Sequence, residues 1–426
     1  MQSRASKEPK ELLPVHGSSP PLKRSLTLVH AVLYGLGVTI GAGIYVLIGA
    51  AAARAGMHAP LAFVLAALTM GSTAASFAEL GSRMPVAAGE AAYVRAALNS
   101  DRLAVAVGIL VVAIAVVSAA AITAGSAGYI AVFLKLPDRI IIAGVALAMG
   151  AIAAWGIKES VVFAGLMTII EVGGLLVLIG AGILYEPALI TRLPETIPPL
   201  GSVGALTGIL SATLLAVFAF VGFEGLVNIA EELEDPQRTL PRAIFLTLAL
   251  TTLFYVLVVW VALVAVPPRE LAASQAPLAL VFQRLTGLSP AVMSLIAIVA
   301  TLNGIIVQIV LAARVLYGLG RQGNLPKTLA RVNPLTRTPL VATALTTGCV
   351  LLFALLLPLE RLADLTSRLT LVVFALVNAA LIVIKRREIE TPGGFYVAPR
   401  WMPWAGLASC LVFLTIDHVA MLGWGG

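Results

Sequence analysis

Eleven stretches of this 426-residue chain are apolar for about 20 residues or more, and that pattern constrains the fold more than any single motif. They lie at 26–53, 59–82, 103–134, 138–156, 160–185, 203–230, 242–266, 289–317, 339–357, 362–384 and 402–424. A bilayer core of roughly 30 Å is crossed by about 20 helical residues, so each stretch is long enough to span one. The runs are continuous rather than alternating with period two, which excludes a β-barrel. With 60% hydrophobic and 12% charged residues and a mean hydropathy of +1.01, the chain has far too little charge to cover a soluble surface. The fold class expected is an all-α membrane protein of about eleven transmembrane helices.

The basic residues set the orientation expected for those spans. Twenty of the 28 Lys and Arg residues fall on one side if the N-terminus is cytoplasmic, in the N-terminal tail and the connections after spans 2, 4, 6, 8 and 10. The other eight (Arg54, Lys135, Arg139, Arg192, Arg269, Arg284, Arg361 and Arg368) fall on the opposite side. The N-terminus is therefore expected inside and the C-terminus outside, in a multi-pass protein of the plasma (inner) membrane. The net charge of +7 is accounted for by this bias and by contact with anionic lipid headgroups, without nucleic acid. The polar first 25 residues read as a cytoplasmic tail rather than a cleavable signal peptide. Cys349 and Cys410 sit in separate apolar runs and suggest neither a disulfide nor a metal site.

Span 1 carries Gly35, Gly37, Gly41 and Gly43 within nine residues. Each glycine costs about 1 kcal/mol relative to alanine in a helix interior, so the span is weakened at mid-membrane. Close helix packing through small residues, with Gly37 and Gly41 four apart, is the alternative reading. Span 6 holds Gly222 and Glu224 near its middle, about 180 residues after span 1. Interrupted segments at matching places in two halves point to the binding site of a transporter. A break leaves backbone N–H groups that attract a carboxylate and C=O groups that attract an ammonium. A zwitterionic amino acid carries both.

Ile40-Gly41-Ala42-Gly43-Ile44 and Phe220-Val221-Gly222-Phe223-Glu224 resemble signatures of the amino acid–polyamine–organocation superfamily of permeases. Similar to that family, too, are Glu231-Glu232 with Asp235-Pro236 through Pro241-Arg242, Arg314 through Pro326 ending in Thr338-Pro339, and Ala78-Glu79-Leu80 with Pro85 through Gly89. The resemblance spans about residues 26–390 and leans towards the bacterial and archaeal cationic amino acid transporter branch. It implies an inverted repeat of five plus five helices with helices 1 and 6 broken: residues 26–185, then 203–384, with 1–25 as a tail and 402–424 as an additional helix. It implies that Ala42 and Gly43 N–H groups hold the substrate carboxylate, with Ile40 and Gly41 in the unwound turn. It implies that carbonyls of Phe218, Ala219 and Val221 hold the amino group, Phe218 gates the site, and Phe220 and Gln308 help form the pocket. The chain departs from the family in having eleven spans rather than twelve or more, and in carrying Glu171 where many relatives carry a lysine.

Glu171 lies deep in span 5, where a charge costs several kcal/mol. A proton carrier, a sodium ligand and a permanently neutral, hydrogen-bonded acid are the three readings. Glu224 either steers the substrate ammonium or relays a proton, or caps the N–H groups freed at the span 6 break. Glu79 and Arg83 are expected to pair at a helix end, and Glu231 and Glu232 to meet Arg314 or Arg321. His30 reads as a packed or capping histidine, Asn303 as a partner for span 1 or a neighbouring helix, and Asp417-His418 as interfacial. No nucleotide-binding loop, zinc motif or nucleophile elbow is present, so no enzyme, cofactor or metal is expected. The function expected is secondary active import of an amino acid, proton-coupled, with exchange, sodium coupling or a polyamine or organic-cation cargo as alternatives. A channel or intramembrane enzyme is the reading from another class.

Overall fold

The computed structural model describes residues 24–85, 89–156, 161–199, 201–387 and 395–423. Fourteen α-helices fill them: α1 Leu28–Ala55, α2 Ala59–Arg83, α3 Gly89–Leu98, α4 Asp101–Ala131, α5 Asp138–Trp155, α6 Val161–Tyr185 and α7 Val203–Phe220. Then follow α8 Pro236–Ala265, α9 Pro268–Ala273, α10 Pro277–Thr286, α11 Ala291–Arg321, α12 Leu340–Leu356, α13 Leu359–Arg386 and α14 Met402–Gly423. A 3₁₀ segment, Phe223–Glu232, separates α7 from α8. Among the described residues the only strand-like pairing is an isolated bridge between Leu26 and Leu233.

Each of the eleven expected stretches falls on a helix, and α3, α9 and α10 are short connectors that hydropathy alone does not reveal. Eight helical stretches among the described residues are long and apolar enough to cross a membrane, accompanied by the shorter apolar pieces Leu28–Ile40, Leu340–Leu356 and Met402–Thr415. The molecule is thus an all-α membrane protein. Helix starts follow local chemistry. Ser100 accepts from Leu103 N–H and Ser202 from Ala205 N–H, and prolines occupy the first turns of α2, α8, α9 and α10, where a missing N–H costs nothing.

Only one of the two expected breaks interrupts a helix. α7 ends at Phe220; Val221 is extended and Gly222 has φ +134° before the chain resumes as 3₁₀. By contrast, α1 runs as one helix from Leu28 to Ala55, straight through Gly41 and Ala42. The glycines lower its intrinsic propensity, but away from water a broken backbone hydrogen bond finds no replacement, so the buried ladder holds. Their use is proximity. A Cβ at Gly37 would stand 2.2 Å from Thr168 Oγ1 of α6, and one at Gly43 would stand 2.4 Å from the Ala219 backbone of α7.

Helices distant in sequence pack on one another: α1 on α7, α2 on α8, α4 on α11 and α5 on α12. Two groups of connections gather at opposite ends of the bundle. At one end Arg54 of α1 forms a bidentate pair with Asp364 of α13, 2.9 and 2.7 Å, and also donates to Ser211 O of α7 at 3.0 Å. At the other, buried Glu79 of α2 accepts from Arg83, from Ala398 N–H at 2.8 Å, and pairs with Lys385 of α13 at 2.8 Å. The expected Glu79–Arg83 pair is present, with Lys385 as a partner from 306 positions later in the sequence.

Candidate functional site

A small cavity lies at mid-bundle where α1, α4, α7 and α11 meet. Thr39 and Gly43 of α1, Ser118 of α4, Phe218 and Val221 flanking the end of α7, and Gln308 of α11 contribute to its wall. Its volume of about 20 Å³ admits one or two water molecules by a measure in which a single water needs about 10–15 Å³. Two of its polar atoms, Thr39 Oγ1 and Gln308 Oε1, are buried with no hydrogen-bond partner among the described residues. Native proteins leave few such atoms unsatisfied, and two in one cavity mark a place where a ligand or water completes the bonding.

The close approach of α1 and α7 follows from residue size. Gly43 faces Ala219, and the Cβ that any other residue would bring overlaps the α7 backbone. Just beyond, Gly222 lies against the Val38 carbonyl, 2.6 Å from where its Cβ would be. Its φ of +134° is open to glycine and strained for other residues. Glu224 Oε2 accepts from Gly222 N–H at 2.8 Å. Thus Glu224 caps the segment beyond the break, as an acid does at a helix start.

Tyrosines hold the backbone around the cavity, and sequence reasoning missed them. Tyr255 of α8 places its hydroxyl 2.8 Å from both Thr39 O of α1 and Ala219 O of α7. Tyr45 donates to Glu171 O at 2.6 Å, and Tyr129 donates to Tyr45 O. The available signal was a phenol inside an apolar run, since a hydroxyl in hydrocarbon must find an acceptor.

Glu171 is fully buried on α6 beside α1 and α11, and does not line the cavity. Its Oε1 accepts from Asn303 Nδ2 of α11 at 3.1 Å, while Oε2 is buried without a hydrogen-bond partner among the described residues. Asn303 therefore serves a neighbouring helix rather than a gap in span 1. Beyond the break, Tyr93, Phe223 and Phe374 each meet Phe77 edge-on, and Phe223 tilts against Phe374, with centroids 5.4–6.4 Å apart. Glu90, on the connector α3, is buried beside them, and burial pushes its carboxyl above the usual carboxylate range.

Of the residues expected at the site, Gly43, Phe218, Val221 and Gln308 line the cavity. Ile40, Ala219 and Phe220 are buried next to it; Ala219 touches Gly43, and Phe220 packs on Tyr255 at 5.2 Å. Gly41 and Ala42 lie within α1, and the unwound turn expected there is helical; their side chains are outside the described residues. So are the side chains of Asp417 and His418 and, entirely, residues 1–23, 86–88 and 157–160. His30 caps α1 with Thr27, as expected. Arg321 stacks on Tyr317, and Glu232 gives its carbonyl to Ser25 and Leu26. Among the described residues no group of three His, Cys, Asp or Glu side chains could hold a metal ion.

The family model for amino acid permeases matches residues 26–423. The branched-chain amino acid permease of Bacillus subtilis (strain 168) is 29% identical over 439 residues, covering 97% of this chain and 91% of that protein. The methylthioribose transporter of the same organism is 28% identical, covering 93% of this chain and 89% of its own length. The vacuolar cationic amino acid transporter 2 of Arabidopsis thaliana is 29% identical over 85% of this chain and 60% of that protein. Matched over nearly its whole length, this chain belongs to the amino acid permease family of the amino acid–polyamine–organocation superfamily, whose members are transporters rather than enzymes.

Proposed function

We propose that this permease is a secondary active transporter that imports an amino acid across the plasma membrane by alternating access, driven by protons. The observation that carries the reading is the mid-bundle cavity, with its unpaired Thr39 and Gln308 groups, set against the break in α7. A volume of about 20 Å³ cannot hold an amino acid, so loading requires α1 and α7 to part from α4 and α11. The hinge for that movement is Val221–Gly222, where α7 gives way to a 3₁₀ segment of poorer hydrogen-bond geometry. Backbone groups at the hinge and around Gly43 receive the substrate's charged ends. Gln308 meets the rest of the molecule.

The helix contacts support an inverted repeat of residues 26–185 and 203–384. α6 packs on α1 as α13 packs on α7; α6 packs on α8 as α13 packs on α2; and α6 packs on α11 as α13 packs on α4. Exchanging the halves maps these contacts onto one another. Five membrane-spanning stretches per repeat, an odd number, invert the second half in the bilayer. The basic-residue bias then puts the N-terminus and the Glu79 end in the cytoplasm, with the Arg54 end outside.

Glu171 is the proton carrier in this reading. A bare carboxylate at this depth costs several kcal/mol, whereas the neutral acid can donate from the oxygen that now has no partner. Its neighbours α1 and α11 also wall the cavity, so loading and protonation act on the same helices. The test is uptake by purified protein in liposomes with an inward proton gradient, an inward sodium gradient, or neither. Accumulation of an amino acid only under the proton gradient is expected. Sodium-driven accumulation would make Glu171 a cation ligand instead, and exchange without either gradient would remove the coupling.

A further inference from the structure

Charge is missing from the cavity wall in a way that bears on cargo. The side of the cavity facing α1 is built from Ile122 of α4, Gly304 and Val307 of α11, and Val221 and Phe218 beside the α7 break. Thr39, Ser118 and Gln308 supply the polar side-chain atoms, and all three are uncharged. No ionisable residue is among those lining it. The two nearby acids are engaged elsewhere: Glu224 on the Gly222 N–H, and Glu171 on Asn303, behind α1.

A zwitterionic amino acid with an uncharged side chain brings no net charge into this space, because its ammonium and carboxylate cancel. A lysine, arginine or polyamine brings at least one uncompensated positive charge, and glutamate one negative. In a low-dielectric cavity with no counter-charge, that excess is strongly unfavourable. Ile122, Val221 and Val307 offer branched apolar surface against which only an apolar side chain gains from burial. Gly304 leaves Val307 and Gln308 as the side chains that α11 brings to the wall.

We infer that the site selects neutral amino acids with aliphatic side chains, and that Ser118, Ile122, Gly304 and Val307 form the wall that enforces this choice. The inference rests on the amino acid transport reading above, and goes against the cationic cargo that the resemblance to cationic transporters suggests. Relatives named for branched-chain and for cationic amino acids have the same 29% identity, so identity alone does not choose the cargo.

Thermal stabilisation of the full-length protein in detergent tests it, because a ligand that binds only the folded state raises its melting temperature. Leucine, isoleucine, valine, alanine, arginine, lysine, glutamate and putrescine would be compared over a concentration series. Stabilisation by the aliphatic amino acids, with arginine and lysine on the order of 100-fold weaker, is expected. Arginine, lysine or putrescine binding as well as leucine would overturn the inference while leaving a transporter reading in place. Stabilisation by no amino acid, in protein that is monodisperse and melts cooperatively, would overturn both. Ser118→Asp adds the missing counter-charge, and should bring arginine binding up and leucine binding down by about tenfold each. An unchanged preference in the folded variant would remove the proposed wall.

Discussion

Gly43 has no room for even a methyl group, because the α7 backbone at Ala219 occupies the space. Gly43→Ala should therefore push α1 and α7 apart and destabilise the protein by about 1–3 kcal/mol, as overpacking does. The variant's melting temperature in detergent, measured with its ligand affinity, checks this; an unperturbed protein would mean that the two helices do not meet here. Glu171→Gln keeps the bond geometry to Asn303 but removes the titratable proton. Uptake in liposomes should lose its dependence on the proton gradient while exchange persists, and retained proton dependence would move the carrier elsewhere. Residue chemistry was legible where an ionisable or special residue interrupts an apolar run, as at Glu171, Gly222 and Glu224. Their partners were not, since Asn303 lies 132 residues from Glu171 and only the fold brings them together. Local propensity makes the glycines around Gly43 favour unwinding over the alternative of close packing, whereas the contacts from α6, α7 and α8 keep α1 helical and realise the packing.

The α7 break and the α1 continuity make the two central helices unlike: one is a rigid rod, the other is jointed beside the cavity. Motion should therefore divide α7 from its 3₁₀ continuation while Arg54, through Asp364 and Ser211, ties together the ends of α1, α7 and α13 that the proposed orientation puts outside. That pair is bidentate and roughly one-fifth exposed, the geometry in which a charge-assisted bond is strongest. Asp364→Asn should release the outer ends and shift the population towards an outward-open form. The readout is labelling of a cysteine placed at Ser118, in a background with Cys349 and Cys410 replaced, by a membrane-impermeant thiol reagent. Labelling at least several-fold faster than in the parent is expected, and no change would mean that the pair does not hold the outer side closed. Helix existence was legible from hydropathy alone. The short connectors α3, α9 and α10 were not, because they are set by packing over helix ends rather than by a membrane-length apolar run.

Across the whole molecule, hydropathy specifies the membrane class without any knowledge of contacts, and the basic-residue bias supplies an orientation to be tested. The structure adds that Arg54, Ser211 and Asp364 meet at one end, while Glu79, Lys385 and Ala398 meet at the other. A protease site placed before Leu26 should be cut only from the cytoplasmic side in sealed inside-out vesicles, and one after α9 only from the opposite side; the reverse pattern would invert the assigned topology. What composition could not reveal is how the helices interlock, because their packing joins segments about 180 residues apart.

That interlocking carries a cost during synthesis. At about 5–20 residues per second, a ribosome needs on the order of ten seconds after completing Glu171 to reach Asn303, 132 residues later. Arg54 waits still longer for Asp364, 310 residues on. For that interval α1 to α6 stand in the bilayer with a buried acid whose hydrogen-bond partner does not yet exist. Biogenesis must therefore either keep α6 at the insertion machinery or admit it to lipid as the neutral acid, the form in which a carboxyl costs least in hydrocarbon.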